Sequence, residues 1–147
     1  MRLSRVLLII LTLSTSLLAA DSPFSGTWKF NPAKGHNTPP VPKSQTVTIA
    51  ADKENFKFSS EGIDEKDQPF KGSYEAKFDG KDYPFTGDPT IDTVSLRRVN
   101  DHEIKITTKK AGKVVADLDV VVSKDGKTTM VNYTDKGEKG TSVYDKQ

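Results

Sequence analysis

The chain has 147 residues, with 22 Lys and Arg against 20 Asp and Glu, no cysteine, one tryptophan and a formal charge of +2. Two of the cations, Arg2 and Arg5, fall in the first 20 residues, which hold no acid, so residues 21–147 are balanced and lack the gathered basic surplus that a nucleic-acid surface needs. With no disulfide to support a thin core, residues 21–147 must rely on the hydrophobic core of a single domain.

The first 20 residues have the layout of a secretory signal peptide. A basic start, Met1 to Arg5, precedes the apolar run Val6 to Leu13, and small residues at Ala19 and Ala20 give way to polar sequence at Asp21. The run is short for a bilayer crossing, and Ser14, Thr15 and Ser16 dilute its end, so cleavage after Ala20 is expected rather than a retained anchor. No cysteine follows for lipid attachment. The expected product is an exported, periplasmic or secreted monomer spanning residues 21–147, with no membrane anchor.

Beyond the leader the chain reads as strand after strand, with no helix. Thr27 to Phe30 comes first, with Trp28 and Phe30 on one face. A connection from Asn31 to Pro42 carries four prolines, which lack backbone donors and read as a stiff, semi-extended loop. Val47 and Ile49 alternate with Thr46 and Thr48; Phe56 and Phe58 share a face; Glu61 to Gln68 is an acidic turn. Tyr74, Ala76 and Phe78 alternate with polar residues up to the turn Asp79-Gly80, and Tyr83 to Phe85 reads as a short edge strand. From Ile91 the chain is a meander punctuated by Asn100-Asp101, Ala111-Gly112, Asp125-Gly126 and Lys136-Gly137.

That spacing leaves room for one strand and one tight turn at a time, so consecutive strands lie antiparallel. Eight or nine such strands avoid exposed edges by closing into an up-and-down barrel. The fold class is therefore all-β, and the interior set runs through Trp28, Phe30, Val47, Ile49, Phe56, Phe58, Tyr74, Phe78, Val94, Leu96, Ile104, Ile106 and Leu118.

Gly26-Thr27-Trp28, just inside the expected mature terminus, resembles the Gly-x-Trp signature that opens the first strand of lipocalins and related calycin barrels. Val143 to Lys146 is similar to their closing strand. The chain also resembles small exported bacterial lipocalin-like proteins, in which stretches like Phe78 to Pro84, Asp92 to Leu96 and Val122 to Thr128 recur. A second lipocalin signature and a helix after the last strand have no counterpart here. The resemblance implies a tryptophan plug across the closed barrel end, built from Gly26 and Trp28, with an arginine over the indole. Arg98 is the candidate, and cation–π attraction supplies the physical reason.

The sequence offers no catalytic machinery. Metalloprotease, nucleophile-elbow, phosphate-loop and dinucleotide motifs are absent. His36 and His102 have no metal-ligand spacing, and no cofactor is expected. Asp117 and Asp119 alternate with Ala116, Leu118 and Val120 on one strand, so both face the same way and should point to solvent. The expected function is non-enzymatic: a barrel holding a small apolar ligand at its mouth, with Phe58, Tyr74, Tyr83 and Phe85 as candidate ligand-binding residues. In that reading tyrosine hydroxyls anchor the ligand and the Pro39-Pro40-Val41-Pro42 loop is a lid. The alternative is an envelope interaction or inhibitor module acting through its loops, which predicts an exposed aromatic patch at Tyr83 and Phe85.

Overall fold

The computed structural model describes residues 22–147, so the leader lies outside the described residues. Those residues form one antiparallel sheet of ten strands with no helix: β1 (Gly26–His36), β2 (Ser44–Ala51), β3 (Asn55–Ile63), β4 (Pro69–Lys77), β5 (Tyr83–Pro84), β6 (Thr93–Asn100), β7 (Glu103–Lys110), β8 (Lys113–Val122), β9 (Thr128–Asp135) and β10 (Glu138–Lys146). Strands adjacent in sequence are neighbours in the sheet, with the junction between β4 and β5 as the seam, and β1 pairs β10. The turns predict eight or nine strands. The tenth arises because the two-residue β5 pairs with β6, matching Tyr83 to Val94 and Pro84 to Thr93.

The seam is stitched without a continuous ladder. Ser73 and Thr86 exchange two backbone hydrogen bonds of 2.9 Å, and the Gly80 amide donates to Leu96 O at 2.9 Å. An isolated bridge joins Asp79 to Arg97. The result is a nearly closed barrel, which leaves little unpaired edge.

Turn chemistry explains the tight corners. Ala111-Gly112 and Lys136-Gly137 hold positive φ at both positions (48° and 75°, then 50° and 86°), the conformation that matches a two-residue turn to strand twist. Asp52, Asp64 and Asp125 accept backbone amides two to four residues ahead, at 2.7–3.0 Å, and so fix their own turns.

The stretch from Asn31 departs from the loop reading. Residues Asn31 to His36 belong to β1: Phe30 pairs Tyr144, the chain bulges, and Gly35 and His36 re-pair with Ser142 and Thr141. Asp145 holds the bulge by accepting Asn31 Nδ2 at 2.8 Å and Lys34 Nζ at 2.9 Å. A bulge lets a strand carry extra residues, including Pro32, without ending. The remaining proline segment folds against the barrel rim, where the Thr38 amide donates to Tyr133 Oη at 2.8 Å and Thr38 Oγ1 donates to Lys139 O at 2.8 Å.

Alternation delivers the predicted interior. Trp28, Phe30, Val47, Ile49, Phe56, Tyr74, Val94, Leu96, Ile104 and Ile106 are buried, and Phe58, Phe78 and Leu118 pack partly buried against them. Each fully buried large apolar side chain contributes about 1.5–3 kcal/mol. Phe24, fully buried ahead of β1, is the addition the alternation could not supply.

A lumen cavity between a plugged end and an apolar mouth

One end of the barrel carries both described chain termini and the β2–β3, β6–β7 and β8–β9 turns, and it is plugged. Phe24 packs edge-on to Phe56 with ring centres 6.3 Å apart. Its carbonyl accepts the Trp28 indole Nε1–H at 2.9 Å in a buried hydrogen bond. Ser25 Oγ accepts the Ala51 amide at 2.9 Å and donates to Ala51 O at 3.2 Å, pinning the segment to the end of β2.

The cation over the indole is not Arg98. Arg98 lies over Phe78, 4.2 Å from the ring centre, and donates to Asp52 O at 2.9 Å in the β2–β3 turn. The group over Trp28 is Lys146, with Nζ 5.3 Å from the ring centre. Register is the reason: Trp28 pairs with Lys146 across β1 and β10, whereas Arg98 is on β6 on another wall. Gly26 permits the contact. Its φ is +132°, and a Cβ there would meet Lys146 Cε at 2.8 Å.

Above the plug is an apolar cavity of about 220 Å³. The aromatic wall comes from β3, β4 and the segment after β5. Phe58 stacks on Tyr74 at 4.8 Å, and Tyr74 meets Phe85 at 5.7 Å. Gly72 makes room for Phe85, whose Cζ would lie 2.9 Å from an added Cβ. The opposite wall is Leu118, Val120, Thr129, Val131 and Tyr144. Tyr144 Oη donates to Gln45 Oε1 at 2.8 Å, and the Tyr144 ring lies 5.6 Å from Phe30. Gln45, Phe85 and Ile91 line the cavity toward the end of the barrel opposite the plug.

Burial sets the acid–base character of this wall. Tyr74 is driven well above the ordinary tyrosine value by desolvation. Tyr144 is raised by desolvation and then by the neighbouring Tyr133. Both phenols are therefore neutral over the physiological range. Among the described residues no Asp, Glu, Lys, Arg or His lines the cavity.

Of the sequence-predicted ligand residues, Phe58, Tyr74 and Phe85 line the cavity together, and Tyr83 does not. Tyr83 Oη donates to Asp79 Oδ2 at 2.6 Å, which depresses the Asp79 carboxyl and raises the phenol. Tyr83 is thus committed to the turn before β5 and is no lumen anchor. No residue of the Pro39-Pro40-Val41-Pro42 segment lines the cavity, so it forms no lid over this cavity. Tyr83 and Phe85 are half-buried and packed on the core, so the exposed aromatic patch of the alternative reading is not formed there.

Asp117 and Asp119 lie on the outer face. Thr107 Oγ1 donates to Asp117 Oδ1 at 2.7 Å, and Lys105 pairs with Asp119 at 3.3 Å. His36 is exposed, and His102 is half-buried with Nδ1 3.3 Å from Val122 O. No cluster of three potential metal ligands occurs among the described residues.

Alternation also passes over Thr129, the cavity's least conspicuous polar residue. A threonine on β9 is ordinary strand composition, and only its position opposite Tyr144 and Val122 turns it inward. Fold and site together define an antiparallel meander barrel with a plugged end and an apolar, uncharged lumen. No protein-family model matches the chain, and no curated protein matches it in sequence.

Proposed function

We propose that the protein is an exported, lipocalin-like carrier or sensor that holds a small apolar molecule in the barrel lumen and performs no chemistry on it. The observation that carries this reading is the 220 Å³ cavity bounded by Phe58, Tyr74, Phe85, Val131 and Tyr144. Side chains could have filled a barrel of this size, yet space remains beside stacked aromatic rings. Apolar walls with a few polar groups are the usual composition of a small-molecule site. The leader-like first 20 residues support export, and Gly26-Thr27-Trp28 supports the lipocalin-like assignment.

The test is native mass spectrometry of the exported protein, followed by titration with apolar probes read through Trp28, the single tryptophan, which lines the cavity floor. A co-purified small molecule or saturable quenching is expected. Narrowing the lumen with Val131→Phe should abolish the quenching. A bare mass with a flat titration overturns the reading.

A further inference from the structure

Three side-chain oxygens are buried without a hydrogen-bond partner among the described residues: Ser22 Oγ, Asp135 Oδ1 and Thr129 Oγ1. Only Thr129 lines the lumen cavity, and it is 6% exposed. The other polar groups there are differently placed. Tyr144 Oη donates to Gln45 Oε1 at 2.8 Å, Thr108 Oγ1 donates to Ala116 O at 3.4 Å, and the Tyr74 phenol stands on the aromatic wall with Phe58. A buried hydroxyl without a partner carries a desolvation cost that a ligand group can relieve.

We infer that Thr129 is the polar anchor of the lumen, and that the ligand is a neutral molecule of one or two rings bearing a single hydroxyl or carbonyl at its inner end. This rests on the proposed ligand-binding function and names the chemistry of that ligand. Three observations set the class. Size comes first: a cavity of about 150 Å³ accommodates benzene, so about 220 Å³ takes two fused rings. The stacked pair Phe58 and Tyr74 offers a flat aromatic wall for such rings. Charge comes third: among the described residues no ionic side chain lines the cavity, so an ionised head would be desolvated without a counter-charge.

Orientation follows from strand position. Thr129 is the second residue of β9, at the plugged end, whereas Gln45 is the second residue of β2, at the opposite end. A ligand entering past Gln45, Phe85 and Ile91 therefore goes in polar end first. Its hydroxyl meets Thr129 as donor or acceptor, since a threonine hydroxyl serves as both.

The test is calorimetric titration of the full exported protein with naphthalene, naphthol and naphthoate at neutral pH. Naphthol is expected to bind roughly tenfold tighter than naphthalene, and naphthoate more weakly than either. Thr129→Val replaces the hydroxyl by a methyl of similar shape and should erase the preference for naphthol while keeping naphthalene affinity. Thr129→Ser should retain the preference. Equal affinities for naphthol and naphthalene, or a preference that survives in Thr129→Val, overturn the anchor and leave lumen binding standing. Tighter binding of naphthoate than of naphthol overturns the neutral class. No binding by any of the three overturns the anchor and the proposed function together.

Discussion

The indole Nε1–H of Trp28 donates to the carbonyl of Phe24 at 2.9 Å, in a buried bond between residues only four apart in the chain. It turns the segment ahead of β1 back under the barrel, so that Phe24, rather than the tryptophan alone, stops the lumen. Phe24→Ala should destabilise the protein by about 3–5 kcal/mol through the cavity it leaves. Trp28→Phe should cost less in volume but orphan a buried carbonyl, for about 1–3 kcal/mol. Urea denaturation midpoints check both, and an unchanged midpoint in Phe24→Ala would mean that this segment is not a plug.

The two cations near aromatic rings separate by their partners. Arg98→Ala removes both the stack on Phe78 and the hydrogen bond to Asp52 O, so its loss should exceed that of Lys146→Ala, which removes a longer contact over Trp28. Only Lys146→Ala should shift the Trp28 emission maximum. A shift in Arg98→Ala alone would reverse the assignment.

Tyr74 and Tyr144 bind their protons more tightly folded than unfolded. Their contribution to stability is complete below the ordinary tyrosine value of 10.0 and is lost as pH rises above it. Tyrosinate absorbance should lag in the native protein and jump as the fold gives way. Tyr74→Phe should remove part of the lag and extend the alkaline limit of the folded state. A native titration that completes near the ordinary value would contradict the burial of these phenols.

At the acid end the sign reverses. Asp52 is depressed first by the Asn55 amide, Asp92 by Lys110, Asp125 by Ser123 and Asp145 by Asn31. Their stabilisation is present above the ordinary carboxylate value of 3.8 and is lost as pH falls through their lower folded values. Asp52, Asp92 and Asp125 are exposed and Asp145 is half-buried, so solvent screens each of them and the individual effects are small. Urea midpoints should stay level from about pH 7 to about pH 5 and fall below about pH 4. Asp52→Asn should flatten part of that fall.

Gly72 tests the mouth. A methyl there would lie 2.9 Å from Phe85 Cζ, so Gly72→Ala must displace the ring. With Phe85 at the cavity edge, apolar probes should bind several-fold more weakly while the far-ultraviolet circular dichroism is unchanged. Unaltered affinity would place the site away from this wall.

Much of the barrel is legible in the residue order. The period of two in Phe56 and Phe58, Tyr74 and Ala76, or Ile104 and Ile106 assigns each side chain to a face from local chemistry alone. Ala111-Gly112 and Lys136-Gly137 mark where the chain reverses, and the charge balance outside the first 20 residues is likewise plain. The candidate site was legible on one wall, where Phe58, Tyr74 and Phe85 do meet. It failed for Tyr83, because the 2.6 Å bond to Asp79 depends on how the turn before β5 folds.

What the order of residues determined is therefore a neutral meander of alternating strands with a tryptophan near its start. The tertiary structure decided which faces meet inside. The seam at the junction of β4 and β5, the bulge after Phe30, the placement of Lys146 over Trp28 and the burial of Thr129 all depend on how strands settle against one another in the closed sheet. Alternation is a property of one strand, and it is blind to the stagger between strands. That stagger is set only when the sheet curls and β1 pairs β10, and with it the volume left in the lumen.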